Sequence, residues 1–585
     1  MSRPAGASWG AEGNVVTNAP GHQRSRAVAS LNLNGVPFGG EGGMIVVWED
    51  ERNAPSSGLD LYYATVSRGG ASVQATPFCT APSTQSEPSV ARTGAWSGQG
   101  PFNTLVVATW QDDRNLPTSA EDIYAQALFG SICSPGNCWG PDGISICTAP
   151  GTQSHPKVVG DEPSTFSTVI AWEDRRNGTD SDLYAQRLDQ DGNAEWGSDG
   201  APVCVAAGDQ DHFDIVRAHD GGLLLAWEDH RNGPSPRVFV LRLLASGQVA
   251  PNWPANGLPV CDVSSAQNQP RIAVSPAGGI LVFWSDRRDD VTGDLYAMRL
   301  ADDGQPASGW PTSGLAVCTA TGSQSPAHAH PSGTVVWVDG RNVGSEAPAN
   351  FDLYAQRLLA NGTVAAGWIP GGTVVCDEPS QQDQVNMVPS SGGSTMFAWR
   401  DWRANGVTSD IYGLCLDANG ALAPDCPADG FAICAAAGDQ SEPLGVFDPF
   451  GALVVWIDGR TSGVNGLDLY AQLAGQDGQT GDPVVDVADR LPTGFHLNRI
   501  YPNPARGTVR VDFDLPATMT VEVEILDLAG RGVSTLESGR LFPSGHHALV
   551  WDGRDRLGHL APTGVYLVRA SGSSRSASRR FVLLR

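Results

Sequence analysis

Three kinds of side chain recur in this chain at spacings that could do chemistry: an Asp–Arg couple, a glutamine and a cysteine. The couple lies in the frame Trp-x-Asp-x-Arg, followed by a short polar run and Asp-Leu-Tyr-Ala, seen in full over residues 172–188. The frame begins at Trp48, Trp110, Trp172, Trp227, Trp284, Trp337, Trp399 and Trp456. A guanidinium fork is planar and can grip a carboxylate with two hydrogen bonds. The expectation is therefore a structural clamp, with each Arg held between the Asp of the frame and the Asp across the turn. Its members are Asp50 and Arg52, Asp112 and Arg114, Asp174 and Arg176, Asp286 and Arg288, Asp339 and Arg341, Asp401 and Arg403, and Asp458 and Arg460. In the fourth copy Arg237-Val-Phe replaces Asp-Leu-Tyr. That removes one carboxylate from the clamp at Arg231 and adds a cation, so Arg231 and Arg237 are ligand-binding candidates.

A second module, Trp-x-x-x-Gly-x-x-Val-Cys, precedes each hairpin, with a glutamine six residues after the Cys position: Gln23, Gln85, Gln153, Gln210, Gln267, Gln324, Gln382 and Gln440. If these amides gather on one face, they would grip a polar polymer or peptide at several equivalent points, and weak contacts would add through avidity. The alternative is that each amide bonds to nearby backbone and leaves nothing for a ligand. Seven cysteines, Cys79, Cys147, Cys204, Cys261, Cys318, Cys376 and Cys434, share one repeat position. Successive units lie too far apart for bridges, which need Cα atoms within about 7 Å, so these read as small buried hydrophobes. Cys133 with Cys138, and Cys415 with Cys426, are spaced for local disulfides, which would suit an oxidising compartment.

Catalytic signatures are sparse. No Gly-x-Ser-x-Gly elbow, His-Glu-x-x-His pair or phosphate-binding Gly-x-x-x-x-Gly-Lys loop occurs. His328-Ala-His330 has two imidazoles but no obvious further ligand, and reads as surface or turn histidines. The runs at 189–193 and 302–304 resemble calcium loops faintly and suffice as hairpin turns. No metal and no cofactor is expected. A glycosidase with paired carboxylates stays open, because their separation is not readable from sequence.

The elements that position these groups follow from the repeat. Over residues 167–176 the alternation puts Trp172, Asp174 and Arg176 on one side of a strand. Each unit of roughly 55–60 residues supplies four short strands, the content of a propeller blade. Eight units predict an all-β, eight-bladed β-propeller closed by the N-terminal strand, since Trp9 to Thr17 precedes its companions and the last hairpin lacks an outer strand. A seven-bladed ring with one irregular extra unit is the rival. Departures at 54–58, 95–102 and 343–350 break the symmetry and are further ligand-site candidates.

The 585 residues carry a formal charge of −26. Residues 485–585 hold 13 Arg and 10 acidic groups, leaving 24 basic and 53 acidic groups for the repeats, so a nucleic-acid partner is not expected. No apolar run approaches the ~18–20 residues of a membrane helix. The N-terminus lacks the apolar core of a signal peptide while Trp9 already belongs to a unit, so the recorded start is expected to be truncated.

The run Trp-x-Asp-x-Arg, turn, Asp-Leu-Tyr-Ala resembles the repeats of TolB-like and WD-like propellers, which implies the same architecture. Tyr-Pro-Asn-Pro at 501–504, Asp-x-x-Gly-Arg at 527–531, Trp-Asp-Gly-Arg-Asp at 551–555 and Gly-Val-Tyr at 564–566 closely resemble the FlgD-like immunoglobulin domain and the C-terminal sorting domain of the type IX secretion system. That resemblance implies export, with the terminal domain engaging secretion machinery. The expected organisation is a propeller over 1–478, a linker over 479–494 and an immunoglobulin-like β-sandwich over 495–585. The leading functional expectation is a secreted or cell-surface, non-enzymatic module binding a protein or glycan. A polysaccharide-active enzyme with carboxylates at the propeller axis, or a structural envelope component, are the alternatives.

Overall fold

The computed structural model describes residues 9–31, 43–54, 58–70, 72, 75–93, 105–116, 120–129, 139–160, 167–289, 291–343, 350–390, 393–404, 406–424, 426–448, 451–463, 466–481, 496–501, 505, 507–515, 518–542, 545–572 and 575–584. Cys133, Cys138, the insertion at 95–102 and the stretches at 55–57, 344–349 and 482–495 lie outside them. The named elements are all β-strands, and no helix is long and apolar enough to cross a membrane. The chain divides into two compact units, residues 1–483 and 484–585.

Among the described residues the first unit contains eight four-stranded antiparallel sheets. In the third, the strands run in order Gln153–Gly160, Thr168–Asp174, Asp182–Leu188 and Ala201–Cys204. The second strand of each sheet is apolar and β-branched, as in Thr-Val-Ile-Ala-Trp over 168–172, because neighbouring sheets cover both of its faces. The inner strands of consecutive sheets pack on one another, and Gln23–Ser30 of the first packs on Gln440–Asp448 of the last. The eighth sheet has Asn14–Thr17 as its outer strand, with Asn14 opposite Ala471 and Val15 opposite Tyr470.

Within each hairpin one carboxylate organises the turn. Trp172 Nε1 donates to Asp174 Oδ2 at 2.8 Å, and Arg176 forks onto the same group, Nε to Oδ1 at 2.9 Å and Nη2 to Oδ2 at 2.7 Å. Trp172 stacks on Tyr184, and the Arg176 guanidinium lies 3.7 Å over the Tyr184 ring. Arg176 Nη2 also reaches Cys147 Sγ of the preceding sheet at 3.2 Å. Burial works to lower the Arg176 pKa, but the hydrogen bonds and charge of Asp174 raise it on balance. Asp174 and the corresponding Asp of every other copy are fully or almost fully buried.

Two expectations change here. The Arg is not clamped between two carboxylates: the Asp across the turn, Asp182, takes its hydrogen bond from Asn177 Nδ2 at 2.9 Å, and Asn115 and Asn342 serve Asp122 and Asp352 in the same way. The seven repeat cysteines are buried but not merely apolar, since each sulfur lies against the Arg of the next sheet, from 3.0 Å at Arg403 to 3.8 Å at Arg288. Burial pushes the thiols of Cys79, Cys147, Cys204, Cys376 and Cys434 up to about 12, so they stay protonated. Thr17 stands in this position on the N-terminal strand and accepts from Arg52 Nη2 at 3.5 Å.

A second tie runs along the outer strands. Trp196 Nε1 donates to Ala245 O in the next hairpin turn, and Trp9 Nε1 does the same to Arg68 O at 2.7 Å. The glycine four residues after each outer Trp is required by space as well as conformation. A Cβ on Gly200, at φ +78°, would come within 2.4 Å of the Trp172 ring.

The second unit has a three-stranded sheet, His496–Tyr501, Val509–Leu515 and Gly545–Trp551, and a four-stranded sheet in the order Gly532–Phe542, Met519–Asp527, Gly564–Gly572 and Arg575–Leu583. Phe513, Phe542, Trp551, Tyr566 and Phe581 form its core. Two antiparallel sheets on one aromatic core make a β-sandwich.

Replacing Asp174 by Ala would leave the Arg176 guanidinium and the Trp172 N–H without their acceptor. The expected cost in urea unfolding is about 3–5 kcal/mol, the penalty for breaking one side of a buried ion pair. A loss below about 1 kcal/mol would show that the couple is not what secures the hairpin.

Candidate functional site

The eight glutamines are all fully buried. In all eight, the side-chain amide donates to backbone carbonyls of its own approach turn, as Gln210 Nε2 does to Ala206 O at 3.1 Å and Gly208 O at 2.5 Å. Gln267 adds two further contacts, accepting from Val238 N and donating to Asp286 Oδ2 at 3.2 Å. None offers an amide to a ligand surface. Arg231 keeps its fork on Asp229, and Arg237 Nη2 is spent on Cys261 O at 2.8 Å.

The groups that do face open space lie one, two and four residues after the glutamine, on the inner strands. A bulge follows the glutamine, and the residue two places on adopts a left-handed backbone: φ is 54° at Glu87, 52° at His155 and 47° at His212. Its exposed N–H is met by a carboxylate from the preceding sheet, Glu173 Oε1 for His212 N at 3.1 Å and Glu228 Oε1 for Gln269 N at 2.8 Å. Non-glycine residues held in this conformation are found where function requires a particular side-chain direction.

At this edge the second to fourth sheets bring together acids and imidazoles. His155 is bracketed by two carboxylates: its Nδ1 lies 3.2 Å from Glu173 and its Nε2 3.6 Å from Glu87. The bond to Glu173 is the main reason the His155 pKa is raised. Beside it, His212 Nδ1 lies 3.1 Å and His230 Nε2 3.8 Å from Asp211 Oδ1. Burial raises the Asp211 carboxyl. His212 is raised as well: burial opposes its charge, but Asp211 outweighs it.

Further along the same strands is a cavity of about 440 Å³ lined by Lys157, Asp214, Arg271 and His328, four residues after successive glutamines. Each reaches the next inner strand: Lys157 Nζ donates to Phe213 O, Ile272 N donates to Asp214 Oδ2 at 3.0 Å, and Arg271 Nε donates to Ala327 O at 2.6 Å. The expectation of surface or turn histidines fails at His328, which sits on the inner strand Gln324–Ala329, half-buried in the cavity lining. Burial, with Arg271 nearby, pushes it down to about 4, so it is neutral at pH 7. His330 is also pushed down to about 4 by burial, and its Nδ1 accepts from Ser332 N. Cys415 and Cys426 are free thiols, buried side by side, with Cys415 N donating to Cys426 Sγ at 3.3 Å.

The mouth cluster escaped the sequence reading because attention went to what recurs. Its signal was the opposite: positions at fixed offsets from an invariant glutamine whose residue type changes from copy to copy.

Residues 498–576 match the family model described as the FlgD Ig-like domain. No curated protein matches the chain. Among solved structures the chain is similar to an alpha-L-arabinanase from Penicillium chrysogenum complexed with arabinobiose, at 12% identity and TM-score 0.30, covering 53% of this chain and 88% of that one. An alpha-L-arabinofuranosidase from Fusarium graminearum is similar at 12% identity and TM-score 0.30, covering 60% and 97%. An ulvan lyase, bound to a glucuronic acid–sulfated rhamnose unit, is similar at 10% identity and TM-score 0.38, covering 83% and 99%. The expectation of a non-enzymatic binding module is corrected here, because the eight glutamines on which that reading rested are buried within the sheets and offer no amide to a ligand.

An unfolded histidine titrates near 6.5, so the half-buried His328 contributes stability that is fully present above that pH and is lost as pH falls toward about 4. Asp182, Asp352 and Asp410, raised to about 6 mainly by burial, act in the opposite sense over the same window. His328→Asn, the residue at the matching position Asn386, isolates the histidine. The drop in melting temperature between pH 7 and pH 5 should be smaller in the variant than in the wild type, and equal drops would contradict the assignment.

Proposed function

We propose that this chain is an exported, polysaccharide-active enzyme that cleaves glycosidic bonds at the axial mouth of a closed eight-bladed propeller, residues 1–478, whose last blade takes its outer strand from the N-terminal segment. The observation that carries the reading is the His155 imidazole held between Glu87 and Glu173 at the open edge of the inner strands. An imidazolium whose pKa is raised by a carboxylate keeps its proton near neutrality and can deliver it to a leaving oxygen. The flanking carboxylates are the complementary base or nucleophile, and two acidic groups on either side of one bond are what glycoside cleavage requires. The lack of any enzyme-type motif in the sequence fits a site assembled from different repeats rather than from one segment.

Export is supported by the match of residues 498–576 to the FlgD Ig-like domain. In this reading residues 495–585 are a sorting or anchoring module that engages secretion machinery, joined to the propeller through residues 479–494. The substrate is a glycan, met outside the cell and without nucleic acid as a partner.

The test is incubation of the full chain with a panel of neutral and acidic polysaccharides, following new reducing ends and the ultraviolet absorbance of unsaturated products. Cleavage of at least one glycan is expected, with Glu87→Gln and Glu173→Gln each slowing it by about 10²–10⁴-fold at unchanged melting temperature. Unsaturated products would assign elimination, and their absence hydrolysis. A wild-type protein that cleaves nothing, or variants that cleave at the wild-type rate, would sink the reading.

A further inference from the structure

The eight sheets provide an internal comparison at the mouth. The residue one place after each glutamine lies directly across the ladder from the residue one place after the frame Trp, and in most sheets the pair is neutral or of opposite charge. It is Ser86 opposite Gln111, Asn268 opposite Ser285 and Ser441 opposite Ile457. Where one carboxylate enters, it faces the neutral Ser154 in the third sheet, opposite Glu173, and a cation in two others: Arg24 faces Glu49 in the first sheet, and in the seventh Arg400 grips Asp383 with Nε at 2.7 Å and Nη2 at 2.7 Å. The fourth sheet alone sets two carboxylates opposite each other, Asp211 and Glu228. Like charges directly across a ladder are destabilising.

No guanidinium or ammonium is paired with this couple in the described structure; the groups converging on it are imidazoles. Ligand atoms of Asp211, His212 and Glu228 all lie within 4.8 Å of one another. His230 Nε2 approaches the same Asp211 oxygen at 3.8 Å. Around a tetrahedral ion with bonds of about 2.0–2.2 Å, neighbouring ligand atoms stand roughly 3.3–3.6 Å apart, close to the 3.1 Å and 3.8 Å at which His212 and His230 stand from Asp211, while Glu228 lies within 4.8 Å of Asp211 and His212. Glu228 is already oriented from behind, accepting from Asn268 Nδ2 at 2.9 Å and Gln269 N at 2.8 Å, the kind of support that ligating carboxylates have. Equivalent positions elsewhere lack the set: the third sheet has Ser154, His155, Glu173 and Arg175, and the fifth has Asn268, Gln269, Ser285 and Arg287.

We infer that Asp211, His212, Glu228 and His230 form a binding site for one divalent transition-metal ion, Zn²⁺ by ligand type, which takes the neutralising role that Arg400 performs in the seventh sheet. Two imidazoles with two carboxylates favour such an ion over calcium, which takes six to eight oxygens. The site goes beyond the proposed glycan cleavage and adjoins it, since Glu173 accepts from His212 N at 3.1 Å.

The experiment is calorimetric titration of the chelator-dialysed full chain with Zn²⁺ alone at pH 7. The reference is Asp211→Ser with Glu228→Gln, a double variant that recreates the Ser86 and Gln111 pair of the second sheet. A second variant is His212→Gln, the residue that Gln269 places in the same backbone conformation at φ 55°. The wild type should bind one ion per chain, and both variants should bind it at least about 100-fold more weakly. Zn²⁺ should raise the melting temperature of the wild type alone. Equal binding by the wild type and the double variant, or no binding by the wild type, would overturn the site. Because the readout is binding, its failure is distinct from a failure to find a cleaved glycan.

Discussion

The structure depends on one buried carboxylate repeated eight times. An ionised Asp is costly to bury, and here the cost is met by three donors within its own hairpin: the Trp indole, the Arg side-chain fork and the Arg backbone N–H, at 2.8, 2.7 and 2.9 Å in the third sheet. The Arg that completes the set is itself held by the preceding sheet, through Cys147 Sγ at 3.2 Å. Each hairpin is therefore fully satisfied only when its neighbour is docked. That dependence explains why a polar group sits where a propeller of purely apolar seams would need none: the Asp–Arg–Cys contact sets the register between sheets as well as the turn within one. In the first sheet Arg52 finds Thr17, on the outer strand of the eighth sheet, in place of a cysteine.

Because packing is handled by positions that do not vary, the residues one, two and four places after each glutamine are free to differ. The bulge there turns the second residue out of the ladder, and the preceding sheet satisfies its N–H. Pro326 is informative, since it has no N–H to satisfy, and the preceding sheet carries Ser285 where the third and fourth carry Glu173 and Glu228. The carboxylates thus serve two ends, closing the backbone of the next sheet and presenting charge at the mouth. A glutamate committed to a backbone N–H is also fixed in direction, which is what positions it against His155 and His212.

The architecture was legible from residue spacing because the repeat is long, regular and rich in period-2 alternation. Four strands per unit and an outer strand drawn from residues 14–17 follow from simple counting. The roles of the polar residues were not legible. Gln210 looks like a surface amide in sequence, yet its amide is consumed by carbonyls two and four residues back in its own turn, a loop geometry that spacing alone does not give. Asp182 looks like half of an Arg clamp, but the shorter Asn177 reaches it while the Arg fork is already filled by Asp174. His328 looks like a turn residue because Pro331-Ser-Gly soon follows it, and only the packing of neighbouring inner strands reveals that it lines the cavity between them.

The titratable groups at this edge are not spread evenly over the eight sheets: Glu87 lies in the second, His155, Glu173 and Lys157 in the third, Asp211, Asp214 and Glu228 in the fourth, Arg271 in the fifth and His328 in the sixth. In a repeat array each unit's stability depends on itself and its immediate neighbours, so the strain of a like-charge pair in the fourth sheet is borne locally while the Trp–Asp–Arg ties elsewhere remain intact. The same sheet shows how such a change propagates one step and stops. With Arg237 where the other copies have Asp, the amide of Gln267 turns to accept from Val238 N and donate to Asp286, and Arg288 still pairs with Asp286 at 2.6 Å. A scaffold whose couplings reach only one neighbour can specialise some sheets without renegotiating the rest, and the run of titratable groups from the second sheet to the sixth is the arrangement that property permits.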